Sequence, residues 1–329
     1  MIKYRVLITG GSGFIGAHLT EKLIKLGHKV LNVDLLRTQG GIPFINKKSK
    51  FIKGNISNKK TILKIKNWRP QIIYHLAAQS ASETAYDDPK FDILTNCYGT
   101  YLISELAKKI KVKKFIYTSS VAVYGNSKNK TLEENSNIDP DSIYGVSKYA
   151  SELFVKQNLK GTSTEIIIFR ICNIYGPGEN LNNQKKGMIS IYSSYIWKKK
   201  TILIKGSLNR FRDFMYVDDC ANILSKALKI KEKNYLEIIN LSFGDKYKVK
   251  EIIKLLIKAS GKKNYRYRRS TQTPGDSFGF HASGKKLKKI FKFKFLKKLE
   301  EGLKHYFNWF NKIPTNSSLK KYHPYQISK

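Results

Sequence analysis

An α/β fold, a doubly wound parallel sheet with a smaller C-terminal α/β unit, is predicted by three observations. Short apolar runs alternate with amphipathic stretches through the first half of the chain. The first run ends in a glycine-rich turn that opens a helix. The second ends in an acid about 20 residues further on, the spacing of a dinucleotide site.

The elements follow in order. Tyr4–Thr9 is a short apolar run, and Phe14–Leu26 has helical periodicity. Lys29–Asp34, Lys50–Lys53, Ile72–Leu76, Lys114–Ser119 and Glu165–Ile171 continue the strand series, with helix-like segments at 58–67, 90–110 and 142–160 between them. Strand–helix–strand alternation implies right-handed crossovers and helices on both faces of a parallel sheet. The later part reads as a helix at 188–199, a strand at Thr201–Lys205, helices at Val217–Lys229 and Val249–Ser260, and a Lys-rich helical tail; 314–329 reads as a loose terminus.

Composition bounds the function. The 329 residues carry 62 Lys plus Arg against 24 Asp plus Glu, a net charge of +38. Only nine of the basic residues are Arg, and the Lys excess accompanies many Ile, Asn, Tyr and Phe, all served by AT-rich codons. Readers of nucleic acid lean on Arg forks, so the charge reads as composition drift, and nucleic acid is not an expected partner. A 41% apolar content is enough for a sizeable core. No run approaches the roughly 18 apolar residues of a membrane span. Cys97, Cys172 and Cys220 form no CxxC or paired framework, which reads as unpaired thiols in a reducing, cytoplasmic compartment. The six histidines have no ligand spacing, and no metal is expected.

Chemistry enters at two places. In Thr9-Gly10-Gly11-Ser12-Gly13-Phe14-Ile15-Gly16, Gly10 permits the tight turn, Gly13 lets a diphosphate approach the helix N-terminus, and Gly16 allows close helix–strand packing. Asp34 then accepts from ribose hydroxyls and repels a 2′-phosphate, so NAD is expected over NADP, with Arg37 nearby leaving NADP open. In Tyr144-Gly145-Val146-Ser147-Lys148 the phenol and ammonium share one helix face, and the ammonium is expected to lower the phenol pKa toward a usable base.

Taken together with Phe115–Gly125, these motifs resemble the extended short-chain dehydrogenase/reductase family, in its nucleotide-sugar epimerase/dehydratase branch, over nearly the whole chain. His75-Leu76-Ala77-Ala78-Gln79 resembles its fourth-strand motif and Asn96-Cys97-Tyr98-Gly99-Thr100 its NxxGT helix. Arg170–Gly178 resembles RxxNxYGPG, and Arg212–Asp219 resembles RDFxYVDD. The resemblance implies a Rossmann NAD-binding domain over 1–172, with a return segment near 213–230, and a nucleotide-sugar-binding domain over 173–329. It implies Tyr144 as acid/base, Lys148 holding the nicotinamide ribose and tuning Tyr144, and Ser120 bonding the reacting hydroxyl with Ser119 beside it. Cofactor contacts are implied at Gly10, Gly13, Phe14, Ile15, Gly16, Asp34, Asn55, Ile56, Leu76, Ala77, Ala78, Asn96, Tyr144 and Lys148. Substrate contacts are implied at Ser120, Asn173 and Arg212, the last at the diphosphate of a UDP-hexose. A homodimer through helices 90–110 and 142–160 and a place in polysaccharide biosynthesis are further implications.

Ser120-Val121-Ala122 stands where the family's 4,6-dehydratases carry adjacent acids, so the strand end looks like that of a 4-epimerase. The alternatives are another NAD(P)-dependent oxidoreductase or dehydratase acting on a sugar nucleotide, or a non-catalytic NAD-binding regulator. The chain departs from the family at Asn55, where Asp is usual, at Thr273 in Thr273-Pro274-Gly275-Asp276, where a diphosphate-binding Arg is usual, and at Ser283 for Asp. Arg268 or Arg269 is left to supply the missing charge. The basic stretch 285–310 reads as the family's closing two-helix unit, with Leu299–Leu303 beginning the last helix and Tyr306 and Trp309 packing inward, in preference to a membrane-surface helix.

Overall fold

A computed structural model describes residues 2–37, 40–126, 131–230, 235–262, 265–271, 277–292, 298–314 and 317–327. The chain begins with β1 (Arg5–Thr9), α1 (Phe14–Lys25), β2 (Lys29–Asp34), β3 (Lys50–Lys53), α2 (Lys59–Trp68) and β4 (Ile72–His75). It continues through α3 (Ser82–Asp87), α4 (Pro89–Asp92), a π-helical turn (Ile93–Tyr98), α5 (Gly99–Lys109), β5 (Lys114–Ser120), a 3₁₀ turn (Val121–Tyr124), α6 (Ile143–Leu159) and β6 (Glu165–Ile171). The second half holds β7 (Asn173–Tyr175), α7 (Met188–Trp197), β8 (Ile202–Lys205), β9 (Phe211–Arg212), β10 (Phe214–Tyr216), α8 (Val217–Lys226), β11 (Leu236–Leu241), β12 (Tyr247–Lys248), α9 (Val249–Ala259), β13 (Tyr267–Ser270), α10 (Lys285–Phe291), α11 (Leu299–Phe310) and α12 (Pro324–Ile327).

Seven strands form one parallel sheet in the order β11-β6-β5-β4-β1-β2-β3. The order reverses between β1 and β4, and a crevice opens beyond the carboxyl ends of the strands at that switch point. Alternate residues of each strand serve opposite faces. Val6, Ile8 and Tyr74 pack with Leu19 and Leu23 of α1 and Leu224 of α8, whereas Leu7, Leu31 and Ile73 pack with Ile65, Ile103 and Val155 of α2, α5 and α6. Both faces are covered, which is why the strands read as near-continuous apolar runs.

A second core gathers α7, α9 and α11 around Tyr192, Ile252, Leu303 and Tyr306. Tyr306 and Trp309 do pack inward, at 0% and 7% exposure, as the closing helices require. Among the described residues no helix is long and apolar enough to cross a membrane.

Three details differ from the sequence reading. Leu236–Leu241 completes the sheet by pairing with β6, beyond the return segment expected at 213–230. Its strand character is written in bonds to a partner some 70 residues away. The single helix expected at 90–110 is broken by the π turn, where the Gly99 N–H reaches Leu94 O. The described part of the terminus, 317–327, is not loose: His323 is 1% exposed, its ring stacks on Phe44 at 4.4 Å, and the Tyr325 hydroxyl meets His18 Nδ1 at 2.8 Å. These anchors lie about 300 residues away in sequence, so no local pattern announces them.

Candidate active site

The glycine turn is fixed by close approach. Gly10 has φ +71°, and a Cβ there would lie 2.8 Å from the Ala77 backbone nitrogen. A Cβ on Gly16 would lie 2.0 Å from Gly10 O. With Gly13 as N-cap, the first N–H groups of α1 at Phe14 and Ile15 face the crevice without a side-chain cap. Asp34 closes β2 beside them. Its two carboxylate oxygens accept from the Ser12 N–H (3.1 Å) and the Leu36 N–H (2.7 Å). Burial raises its pKa, and those N–H bonds oppose the rise. Each oxygen keeps a lone pair for a ribose hydroxyl. The Arg37 guanidinium stacks over the Phe91 ring at 4.3 Å.

A cavity of about 500 Å³ runs from this turn along the strand ends. It is lined by Gly10, Gly13, Phe14, Ile15, Gly16, Asp34, Asn55, Ile56, Leu76, Ala77, Ala78, Ser120, Tyr144, Lys148, Asn173 and Arg212, so sixteen of the expected residues share one cavity. Asn96 is the exception. It is 0% exposed and off the wall, bonded to Gln79 (2.9 and 3.0 Å), Asp92 (3.0 Å) and Ser147 Oγ (3.0 Å). It braces the wall from behind, because the π turn points it inward.

A long groove holding N–H groups at one end and an acid facing a ribose-sized space fits a dinucleotide in chemistry as well as size. Asn55 accepts the Ser57 N–H on its carbonyl (3.0 Å) and keeps its amide donors, so it can still hydrogen-bond an adenine edge where Asp is usual.

The catalytic wall is built where β5 ends. Ser120 caps the 3₁₀ turn by accepting the Ala122 N–H at 3.2 Å, and Ser142 caps α6 by accepting the Gly145 N–H at 3.1 Å. A Cβ on Gly145 would lie 2.6 Å from Ala122 O, so the absent side chain lets α6 press against that turn. Tyr144 and Lys148 follow one turn apart. Lys148 Nζ donates to Thr118 O (2.7 Å) and sits 4.4 Å from the centre of the Tyr117 ring. Burial pulls its pKa down to about 7, against the pull of the Asp92 and Glu152 carboxylates.

Tyr144 corrects an expectation. Burial pushes its phenol up to about 12, and the group that favours the phenolate is Ser120 rather than Lys148. The desolvation cost of a phenolate in this wall exceeds the help of an ammonium committed to Thr118. Behind the wall, Glu152 (side chain 0% exposed) holds Arg170 through two bonds of 3.0 and 2.9 Å and accepts from Ser119 Oγ at 2.6 Å. Ser119 is thereby anchored, and Ser120 is left to face the cavity.

At the far end, Asn173 Nδ2 donates to the carbonyl of Asp213 (3.1 Å), the residue that follows Arg212 between β9 and β10, and β7 pairs with β10. Arg212 is 4% exposed and donates to the carbonyls of Phe211 (2.7 Å), Ser277 (2.8 Å) and Phe278 (3.1 Å). Burial lowers its pKa to about 10. The Asp213 carboxylate turns to Ser242 and the Phe243 and Gly244 N–H groups.

Thr273–Asp276 lies outside the described residues. Arg268 and Arg269, expected to replace its missing charge, sit exposed on β13 and do not line the cavity; Arg210 does, buried at 2% exposure. Ser283 is buried off the cavity and accepts the Lys285 N–H (3.3 Å) at the start of α10. Sequence reasoning missed Arg210, Lys186, Glu179 and Tyr192, all on the wall. Arg210 stood two residues before a recognised motif, and the others sit in or after a polar loop without a pattern.

Comparison with known proteins agrees with this geometry. The family model described as NAD dependent epimerase/dehydratase family matches residues 6–242. A putative UDP-glucose 4-epimerase of Methanocaldococcus jannaschii is 34% identical over 252 residues, covering 76% of this chain and 81% of its own length. The human dTDP-D-glucose 4,6-dehydratase is 30% identical over 261 residues, covering 77% and 73%. Among solved structures, the UDP-glucose 4-epimerase of Thermotoga maritima with UDP-glucose superposes with a TM-score of 0.87 at 28% identity, over 94% of this chain and 99% of that one. The Thermus thermophilus UDP-glucose 4-epimerase with NAD gives 0.85 at 26% identity, over 93% and 99%.

Proposed function

The chain belongs to the NAD dependent epimerase/dehydratase family, and on that premise we propose that it is a nucleotide-sugar 4-epimerase that oxidises C4 of a UDP-hexose and reduces the 4-keto sugar on its opposite face. The observation that carries this reading is the wall at the end of β5. There Ser120, Tyr144 and Lys148 converge, and the residues entering the cavity after Ser120 are the aliphatic Val121 and Ala122. An epimerase needs one acid/base and one hydroxyl-orienting group at C4, and no acid for expelling water.

NAD held in the crevice would supply the hydride acceptor and donor. Tyr144 takes the C4 hydroxyl proton during oxidation and returns it on reduction. Ser120 bonds the reacting oxygen and, in the same position, favours the ionised phenol. Lys148, fixed by Thr118 O, holds the nicotinamide ribose. Asp34 bonds the adenosine ribose, while Arg212 and Asn173 hold the substrate's diphosphate and sugar. In this reading residues 1–172 carry NAD and 173–329 carry the sugar nucleotide, with the 213–230 segment and β11 returning to the first unit.

A second reading, loss of water from the keto sugar, is favoured by one observation. Glu179 is a buried acid in the same cavity, its pKa raised by burial to about 8. Its carboxylate, however, already accepts the Gly176 N–H at 3.1 Å.

The homodimer is proposed through the π turn, α5 and α6, where Ile93, Tyr98, Tyr101, Val146, Leu153 and Phe154 leave an apolar face exposed.

The test is a panel of UDP-glucose, UDP-galactose and their N-acetyl and uronic forms followed by NMR. One pair should interconvert without added reductant. Tyr144→Phe should abolish this while still binding NAD. A 4-keto-6-deoxy product would favour elimination, and wild-type turnover by Tyr144→Phe would sink the mechanism.

A further inference from the structure

The segment 176–190 runs from the second core along the crevice as a strap and is tied to both flanks of the glycine turn. Gly41 pairs with Glu179, and the Ile42 N–H donates to Gly178 O at 2.8 Å. Lys185 forms an ion pair with Asp87, and Lys186 Nζ donates to Ser80 Oγ.

Of the strap's two lysines, Lys185 is exposed and Lys186 is the more buried. A Cβ on Gly40 would lie 2.8 Å from its Nζ, and a Cβ on the next residue, Gly41, would lie 2.8 Å from the Phe14 backbone nitrogen. Ser80 stands on the other flank, just past the Leu76–Ala77 backbone on which Gly10 packs. The ammonium therefore lies between the two flanks of the Gly10–Phe14 turn, on the strap side of the crevice.

We propose that Lys186 is the side-chain cation for the cofactor's diphosphate, and that the strap it anchors keeps the cofactor bound through the whole catalytic cycle. The assignment rests on the NAD-dependent reading of the crevice. The turn offers a diphosphate backbone N–H groups and dipole, but its side chains at 14 and 15 are Phe and Ile. Other cations on the wall are committed elsewhere. Arg37 stacks on Phe91, Lys205 pairs with Glu83, and Arg212 binds carbonyls at the opposite end. Lys186 donates to a neutral hydroxyl, and the carboxylate that acts on its charge, Glu179, is itself held toward its neutral form by burial, which leaves the ammonium open to an anion. Burial lowers the Lys186 pKa to about 8 against the pull of Glu179, so an arriving phosphate also secures its charge. An enzyme that re-reduces its own intermediate needs the reduced cofactor to stay until the second transfer, and a strap with a diphosphate contact supplies that retention.

The test uses full-length, cofactor-stripped protein and calorimetric titration with NAD, adenosine and UDP, for wild type, Lys186→Met and Lys186→Arg. Lys186→Met should weaken NAD about tenfold or more, the scale of a charge-assisted bond, while adenosine and UDP stay within about twofold. Lys186→Arg should stay within about threefold of wild type, because it keeps the charge. Fluorescence of bound NADH should also show faster release from Lys186→Met. The proposal is overturned if Lys186→Met binds NAD as wild type does, or if Lys186→Arg loses as much as Lys186→Met, which would mean packing. It is equally overturned if the loss falls on UDP, which would give Lys186 to the substrate's anion. Failure of the wild type to bind NAD would overturn the reading of the crevice itself, and the proposal with it.

Discussion

Replacing Glu152 by Gln isolates the charge that braces the catalytic strand. Glu152 and Arg170 have side-chain exposures of 0% and 3% and share two bonds of 3.0 and 2.9 Å. Burial works against the guanidinium's charge, yet the bonds and charge of Glu152 outweigh it and hold the Arg170 pKa well above its ordinary value. Gln keeps the volume but leaves a buried cation facing an amide that donates as well as accepts. At an effective dielectric of about 20 and a charge separation of about 4 Å the lost attraction is about 4 kcal/mol, within the ~3–5 kcal/mol found for breaking one side of a buried pair. With an unfolding entropy of about 2.1 cal/mol/K per residue, that loss lowers the melting temperature by about 6 °C. Urea titration and calorimetry read both quantities. Glu152→Leu with Arg170→Met removes the stranded charge and should recover more than half of the loss. A Glu152→Gln loss below about 1 kcal/mol would refute the reasoning. So would a double variant as unstable as the single one, since the damage would then be packing. Turnover should fall as well, because the single amide oxygen left by Glu152→Gln must serve both Ser119 and Arg170 and is a weaker acceptor than the carboxylate that fixes the strand end beside Ser120.

The remaining predictions concern titration and assembly. In cofactor-free protein the Tyr144 phenolate, read as the ultraviolet difference between wild type and Tyr144→Phe, should form only as pH nears 12. A midpoint below about 10, the ordinary value, would show that burial does not dominate. Glu179 has its folded pKa raised from 4.5 to about 8, so the folded state keeps a proton that the unfolded chain has released across that window. Wild-type stability therefore falls as pH rises through it, and Glu179→Gln should gain on wild type by at most about 1.4 kcal/mol per pH unit. Urea midpoints at pH 5 and pH 8.5 that differ from wild type by the same amount would contradict this. Phe154→Glu places a charge in the exposed apolar face of α6, where Phe154 is 38% exposed and packs edge-on against Tyr101. Light scattering should find the wild type dimeric and the variant monomeric; a dimeric variant would move the interface elsewhere.

The sequence by itself determined the sheet and one end of the site. Strand runs from Tyr4 to Ile171, the turn at Gly10–Gly16, Asp34, and the pairing of Tyr144 with Lys148 are local patterns, because backbone geometry and helix spacing act over a few residues. Family motifs extended this to Ser120, Asn173 and Arg212. The tertiary structure alone decided the rest. It placed β11 in the sheet and docked the terminus through His323. It turned Asn96 from the cavity into its brace, and it brought Arg210, Glu179 and Lys186 onto the wall. It also reversed the expected shift of Tyr144. The physical reason is common to these cases. Burial and charge separation are properties of neighbours distant in sequence, and a phenol four residues from a lysine titrates according to the solvent that both have lost.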